Sequence, residues 1–507
     1  MKIFGITLIW FVSLMNVLEA QTYCENKYDY IWLMGGIDLD TTEDRYGGSE
    51  INFNSIPPLI NVHPKLIEMP HHNLSMSSKE GDLIFYSNGC SIMNSLNIEM
   101  ENGDSLNPGE VYDWFCPHLG YNGFQSMLAI PSSYDSTLYY VLYISLVLPH
   151  DTNAFQPVQS ENLYYALIDM SLNNGLGGVI TKNEIILSDT SMIGTPLTAT
   201  KHANGLDWWI ITPDRWSNSF HTSFLGIEGI QYLGKRFIGI PPNPRSEGGQ
   251  GKFSPDGSKF AWFHPHQGLY LYDFDRELGL LSNFHHIIIP VSDFIVGGCE
   301  FSPSGRFLYV NNDFDLYQID TWSADLQESL THIATYDGFG DPLPTRFFYM
   351  ERTPDNRIIM NVVNGSKFLH VIQEPNLNGK ACRFEQHALK LPTVNNFTLP
   401  HFPNYRLGAV EDSICDEFLV QTKDILESTT PRYTIYPNPA RDFIQIIPLE
   451  VGLGNDFTVS IWDFYGRKIM ASEENVIYLN NILPGIYFCS IIDGDKFNQT
   501  TKLIILD

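Results

Sequence analysis

The sequence predicts an all-β chain, a closed ring of small antiparallel sheets followed by a compact antiparallel sandwich. Three observations carry that expectation. Aromatic residues make up 13% of the chain, with 26 Tyr and 32 Phe beside 39 Gly and 30 Pro, a composition that favours many short strands and turns over long helices. Residues 253–263 read FSPDGSKFAWF and residues 301–310 read FSPSGRFLYV, each a few residues after a Gly-Gly pair and 48 positions apart. The last stretch of the chain alternates short apolar runs with tight turns, the pattern of an antiparallel sandwich.

The N-terminus comes first in order. Lys2 precedes an apolar run over residues 3–18, and Leu18-Glu19-Ala20 ends it with a small residue. This is the layout of a secretory signal peptide spanning residues 1–20. No other segment approaches the length of a membrane span, so the mature chain is expected to be soluble or held at a surface by other means. A net charge of −28 repels phosphate backbones and anionic lipid, which argues against a nucleic-acid partner.

The ring is assigned to residues 21–422. In Phe253-Ser254-Pro255-Asp256-Gly257 proline presets the first turn corner, Asp accepts local backbone hydrogen bonds and Gly takes the positive φ that reverses the chain. Aromatic and apolar residues flank the turn on both sides, as buried strands require. The second copy carries Ser304 in place of Asp256 and reads as one residue shorter after the glycine. Further turns of this kind are anchored at Gly81, Asp135, Gly205 and Asn356, and each is followed by a second hairpin. A unit of about four strands repeated in this way marks a β-propeller. Six anchors are counted. A seventh blade is expected from the early strand at residues 30–34 pairing with strands between His401 and Val420, so seven blades are favoured, with six or eight compatible with the spacing. A β-sandwich has turn signals too, but it does not predict near-identical turn strings at blade spacing. The repeats lack the Gly-His and Trp-Asp marks of WD40 units and resemble the bacterial TolB-like, WD40-like propeller repeats, whose hallmark is a strand ending in FSPDG.

Cysteine usage suits an exported protein without defining a scaffold. There are seven, Cys24, Cys90, Cys116, Cys299, Cys382, Cys415 and Cys489, too sparse for a disulfide-built fold. Cys90 with Cys116 and Cys382 with Cys415 are the expected bridges, because each pair lies within one unit, although spacing alone leaves connectivity open. No C-x-x-C is present, which argues against a zinc knuckle or a thioredoxin-type site.

After Cys415 the chain turns polar, and residues 423–433 read as a linker. Residues 434–507 then hold the short strands FIQIIPL, FTVSIWDF, IYLNNIL, IYFCSII and KLIIL separated by tight turns, a small antiparallel β-sandwich. The strings YPNPARDF at 436–443, DFYGR at 463–467, LPGIYF at 483–488 and TKLI at 501–504 resemble, in order, the motifs of the type A C-terminal sorting domain of the type IX secretion system of Bacteroidota. The resemblance implies recognition by an outer-membrane translocon, usually followed by cleavage and often by exchange for a lipopolysaccharide anchor. The matching residues are Pro437, Asn438, Pro439, Arg441, Asp442, Gly466, Arg467, Gly485 and Lys502. Most of the prolines and glycines among them are read as turn formers, with the translocon meeting a folded edge and the terminal strand. The middle of the chain also resembles uncharacterised propeller proteins of the same bacteria, through HNLSMS at 72–77, FYSNGC at 85–90, NPGE at 107–110, GFQS at 123–126 and FPNYRLG at 402–408. That resemblance brings no established activity.

The ring offers little local chemistry. Fifteen histidines group most closely at His71-His72, His264-Pro265-His266 and His285-His286, without carboxylates at ligand spacing, and His264 and His266 read as solvated loop residues. The acidic run at residues 38–44 lacks the Gly and closing Glu of an EF-hand loop and reads as a surface loop. No Ser-x-Asp-x-Gly-x-x-Trp box and no G-x-S-x-G elbow appears. No catalytic, cofactor-binding or metal-binding residue is therefore assigned, and no cofactor is expected. The reading is an exported or cell-surface propeller that binds a glycan or protein ligand, more a binding module than an enzyme. The alternative is a surface hydrolase acting on polysaccharide or peptide in the channel. The lining of the channel mouth discriminates them: converging carboxylates holding a cation or sugar favour the enzyme, an aromatic, unionised face favours binding.

Overall fold

The computed structural model describes residues 26–35, 48–64, 67–148, 159–242, 249–290, 296–341, 343–410, 433–448, 457–463, 468–479, 482, 485–493 and 497–505. The expected signal peptide, the acidic run at 38–44, the linker and Cys24 and Cys415 lie outside these residues. Two compact units result, the first holding Met1–His202 and Leu206–Gly408 and the second Ala203–Gly205 and Ala409–Asp507.

Among the described residues, seven antiparallel sheets make up the first unit, a seven-bladed β-propeller. Blade 1 is Ile31–Met34, Gly48–Asn52 and Leu59–His63, and blade 2 is Leu74–Ser77, Leu83–Ser87 and Ile92–Asn94. Blade 3 is Met127–Pro131, Leu138–Val147, Gln159–Asp169 and Gly178–Ser188; blade 4 is Thr198–Lys201, Trp208–Pro213, Ser219–Gly226 and Gly229–Phe237. Blade 5 is Gly251–Phe253, Lys259–His264, Gly268–Asp275 and Leu280–Ile287; blade 6 is Cys299–Phe301, Phe307–Asn311, Asp315–Asp320 and Thr331–Thr335. Blade 7 is Phe347–Arg352, Ile358–Val362, Ser366–Ile372 and Phe384–Asn395. In blades 2 to 7 the first strand is buried along nearly its whole length and lies innermost, while the last strand of blades 5 and 6 is largely exposed. No blade can bury both faces alone, so each covers its neighbours.

The repeated string sits in one place throughout. Gly81, Asp135, Gly205, Gly257, Gly305 and Asn356 all occupy the turn between the first and second strands of blades 2 to 7. Gly257 and Gly305 both have φ +72°, and Asn356 has φ +67°, the left-handed corner that Gly and Asn tolerate. The hydroxyl residue three positions earlier closes the turn. Ser254 Oγ accepts from the Lys259 amide at 2.9 Å, Ser302 Oγ from Phe307 at 3.0 Å and Thr353 Oγ1 from Arg357 at 3.0 Å. The turns of blades 5 and 6 are equal in length, contrary to the expected deletion: Phe253 pairs with Phe260 and Phe301 with Leu308. Only the aromatic residue moves by one position, onto the other face of the strand.

The glycine before the innermost strand is steric in blades 5 and 6. At Gly249, φ +87°, an added Cβ would lie 1.7 Å from the Phe263 carbonyl oxygen, and at Gly297 it would lie 2.1 Å from that of Asn311. Gly249→Ala is expected to cost about 3 kcal/mol or more, from backbone strain and displacement of the neighbouring strand. The urea midpoint of the purified protein checks it.

The ring closes differently from the expected pairing. Residues 31–34 pair with Gly48–Asn52; of the stretch between His401 and Val420, residues 401–410 hold no strand and 411–420 lie outside the described residues. The last strand of blade 7 packs beside Gly48–Asn52 and Leu59–His63, with Ser49 Oγ 2.8 Å from Thr393 Oγ1. Residues 397–408 then run beside the early strand through side chains. Phe402 meets Trp32 at 5.8 Å between ring centroids, Tyr405 meets Tyr28 at 5.4 Å, and Arg406 forks onto Asp29 at 2.6 and 2.7 Å.

Cys90 and Cys116 form a disulfide, Cα atoms 5.6 Å apart, that fastens the end of helix Glu110–Phe115 to the second blade. Cys382, expected to bridge to Cys415, is instead a free buried thiol packed among Tyr309, Phe347 and Phe384. An apolar cluster suits a neutral thiol.

The second unit is a sandwich. One sheet holds Tyr433–Tyr436, Phe443–Pro448 and Val476–Tyr478; the other holds Lys468–Ser472, Phe457–Asp463, Gly485–Asp493 and Phe497–Ile505. Ile435, Ile444 and Ile446 of the first face Val459, Ile461, Cys489, Leu503 and Ile505 of the second, the alternation that a two-layer core demands.

Candidate functional site

The channel of the propeller is occupied by the protein itself. Gln125, at the start of the innermost strand of blade 3, reaches blade 5: its Nε2 donates to Gly251 O at 2.7 Å and its Oε1 accepts from Gly251 N at 3.0 Å. Gln250 does the same one step on, donating to Met350 O at 2.6 Å and accepting from Met350 N at 3.0 Å and Cys299 N at 3.1 Å. Below these ties Lys252, Glu300 and Glu351 converge from blades 5, 6 and 7. Lys252 Nζ is 3.1 Å from Glu300 and forms a second, shorter bond to Glu351.

His401 completes the cluster from residues 397–408. Its Nε2 accepts from Gln125 Nε2 at 2.7 Å, and its Nδ1 faces Glu351 at 3.4 Å and Lys252 at 3.1 Å. The strap continues inward of blade 3, where Tyr405 donates to Ala129 O at 2.8 Å. Lys252, Glu300, Glu351 and His401 are 3%, 2%, 4% and 5% exposed. One ammonium neutralises one carboxylate there, and burial pushes the Glu351 carboxyl up to about 7 against the opposing pull of Lys252. Burial, with Lys252 beside it, holds His401 well below the usual histidine range, so its ring is neutral.

The mouth above the Gln ties is aromatic. It is built where the innermost strands of blades 2, 3 and 7 begin: His71 from blade 2, Phe124 from blade 3, Phe348 and Tyr349 from blade 7, joined by Phe397 from the strap. His71 stacks on Phe397 at 5.4 Å and 6°. Phe124 stands edge-on to Phe348, Tyr349 and Phe397 at 5.6, 6.1 and 6.0 Å, and Phe348 stacks on Tyr349 at 4.3 Å. His71, Phe124 and Phe397 are half-buried. Burial lowers the His71 pKa, so this face carries no charge at neutral pH. Such offset and T-shaped clusters are stiff platforms for apolar faces of a ligand.

Two arrangements look nucleophilic. Ser126 Oγ lies 2.8 Å from His72 Nε2 while His72 Nδ1 donates to Tyr121 O at 3.0 Å, the geometry of a serine with an oriented base. Yet Ser126 and His72 are 0% and 1% exposed, and a Cβ on Gly123 would lie 2.2 Å from Ser126 Oγ. No acyl group fits there, and burial presses the His72 pKa to about 4. Ser191 lies 2.9 Å from Lys235 Nζ, but Lys235 also binds Asp214 at 2.7 Å and Asp189 at 3.1 Å. Burial works against the charge, but the bonds to Asp214 and Asp189 prevail and raise the lysine pKa, so it cannot serve as a base. Of the histidine pairs, His264 is buried rather than solvated, its ring against Trp262 and Tyr270 at 5.5 and 6.1 Å. It ends the second strand of blade 5, on the face where Phe260 and Trp262 pack against Phe220 of blade 4.

In the second unit the sorting-motif residues fall into two sets. Asn438 Nδ2 donates to Lys502 O at 2.6 Å, and Asn438 Oδ1 accepts from Ile504 N at 3.0 Å. Ala440 N adds a bond to Ile504 O at 2.8 Å. Gly485 pairs with Ile505 at the other side of the same strand. Pro437 and Pro439 flank Asn438; Arg441 and Asp442 are exposed, with the Asp442 carbonyl accepting from Leu479 N at 2.8 Å. Gly466 and Arg467 lie outside the described residues.

Residues 434–506 match the family model of a secretion system C-terminal sorting domain. The chain is also similar to a functionally unknown protein from Desulfotomaculum acetoxidans (11% identity, 74% of this chain and 100% of that chain, TM-score 0.40). It is similar to a putative 6-phosphogluconolactonase from Bacteroides uniformis (10%, 72% and 97%, 0.38). A third similar structure is PorZ, a surface component of the type-IX secretion system of Porphyromonas gingivalis (11%, 91% and 68%, 0.31). No curated protein matches the chain. Likeness at these TM-scores says nothing of activity.

Proposed function

We propose that this protein, exported through the periplasm and outer membrane to the cell surface or the medium by its type IX sorting domain, works there as a binding module. Its contact face is the aromatic mouth of the ring, and the ligand is a glycan or a protein. The reading is supported by one observation: the mouth presents His71, Phe124 and Phe397 uncharged and half-buried, above a channel filled by the chain's own charges and strap. Neutral aromatic faces take the apolar side of a sugar ring or an apolar side chain. Removal of residues 1–20, a ring over 21–422, a linker over 423–433 and a source in Bacteroidota belong to the same proposal.

The test is a glycan and peptide array with the purified full-length protein, followed by titration of the best ligand. Phe124→Ala is expected to weaken binding about tenfold or more, as loss of a central aromatic does, with the thermal midpoint nearly kept. Unchanged affinity in that variant would sink the assignment to the mouth.

A hydrolase reading draws on the convergence of Glu300 and Glu351 on one lysine. It requires His401 and the strap to leave the channel, since no substrate reaches carboxylates this buried. Sugar or peptide release that survives Glu300→Gln and Glu351→Gln would exclude them as its acid and base.

A further inference from the structure

Among the described residues the terminal strand Phe497–Ile505 is an edge strand: it pairs with Gly485–Asp493 on one side, and on the other it has no strand neighbour but an isolated parallel bridge from Ala440 to Ile505. Such an edge is a template for any passing chain, and strand addition to an open edge is a common mode of peptide recognition. Here the outward groups near its end are already used. Lys502 O accepts from Asn438 Nδ2, Ile504 N donates to Asn438 Oδ1, and Ile504 O accepts from Ala440 N. Further up, the Gln499 side chain ties the strand to the other sheet instead, donating to Tyr433 O at 2.6 Å and accepting from Tyr433 N at 3.0 Å.

The flanking residues fit the same purpose. Pro437 and Pro439 have no N–H to offer, so the segment laid along the edge cannot pair onward and extend the sheet. Asn438 supplies through its side chain the donor and the acceptor that a paired strand would supply through its backbone.

We infer that Pro437-Asn438-Pro439 is an edge seal, so that the sorting domain reaches its translocon with the end of the terminal strand closed to strand addition. The machinery then meets side chains on that strand, among them exposed Lys502, not its backbone edge. The inference rests on the sorting role of residues 434–506 but not on the binding role proposed for the ring.

The test uses the full-length protein. In Asn438→Ala, amide exchange over residues 497–505 is expected to rise about tenfold or more, the equivalent of losing two hydrogen bonds, while exchange in the ring stays unchanged. Surface display of the same variant, expressed in a host with the type IX system, is expected to fall. Gln499→Ala, whose side-chain bonds go to the backbone of Tyr433, and Lys502→Ala, whose backbone bonds stay, should both leave exchange at Ile504 as it is. Unaltered exchange in Asn438→Ala overturns the seal. Faster exchange with full display overturns its bearing on export, since the translocon would then accept an open edge. Loss of display in a truncation lacking residues 433–507, measured alongside, separates failure of the seal from failure of the sorting assignment.

Discussion

A chain ending at residue 432 is expected to fold its ring and to remain in the periplasm, with surface display at background. The physical ground is that the sandwich has a core of its own. Among the described residues Tyr433, Ile435, Ile444, Ile446, Val459, Ile461, Ile491, Leu503 and Ile505 form one apolar cluster, a core that the sandwich builds from its own side chains. Taking away the last strand alone should have the same outcome by another route. Leu503 and Ile505 are 0% and 3% exposed, and their loss opens the core along one whole sheet, at about 2 to 5 kcal/mol for each large aliphatic side chain removed. Fractionation into periplasm and surface, with an antibody to the ring, reads both. Full display of either truncation would remove the sorting function from these residues.

Lys252→Ala is expected to be the most damaging single substitution in the channel, at about 3 to 5 kcal/mol, because it leaves two carboxylates buried together without a counter-charge. Glu300 retains bonds from Phe301 N at 2.9 Å and Arg352 N at 3.3 Å, but neither supplies a counter-charge. The chemical denaturation midpoint measures the loss. A pH series gives the second half of the result. Glu351 titrates near 7 in the folded protein against 4.5 for the free side chain, so the folded state holds a proton that the unfolded state has released. Its contribution is fully present below about pH 4.5 and is lost as pH rises toward 7, about 3 kcal/mol over that window by linkage. In Glu351→Gln that slope should vanish while other pH dependences persist. An unchanged slope would mean that Glu351 is ionised throughout, held by Lys252.

The turn string was legible because its chemistry is local. Pro, Asp and Gly within five residues dictate a reversal wherever they occur, and repetition at one interval implies one element repeated. Even the charge cluster left a trace, since Lys252, Glu300 and Glu351 each stand two residues before Ser254, Ser302 and Thr353. In the repeats these three charged residues share one position, which holds Met76, Ile130 and Thr200 in blades 2 to 4. What they would meet was not legible, because one position repeated around a ring faces a shared axis only after the ring closes.

The sequence by itself determined the all-β character, the repeated turn with its glycine and asparagine corners, the separate terminal sandwich and its sorting motifs. These follow from interactions among residues a few positions apart or from order along the chain. Only the tertiary structure decided that residues 397–408 enter the channel, that His401 meets Gln125 across 276 positions and Lys252 meets Glu351 across 99, and that Asn438 closes the edge of a strand 66 residues later. Burial and pairing of that kind depend on which surfaces remain once blades pack, and packing complementarity is a property of the assembled ring, not of any segment read alone.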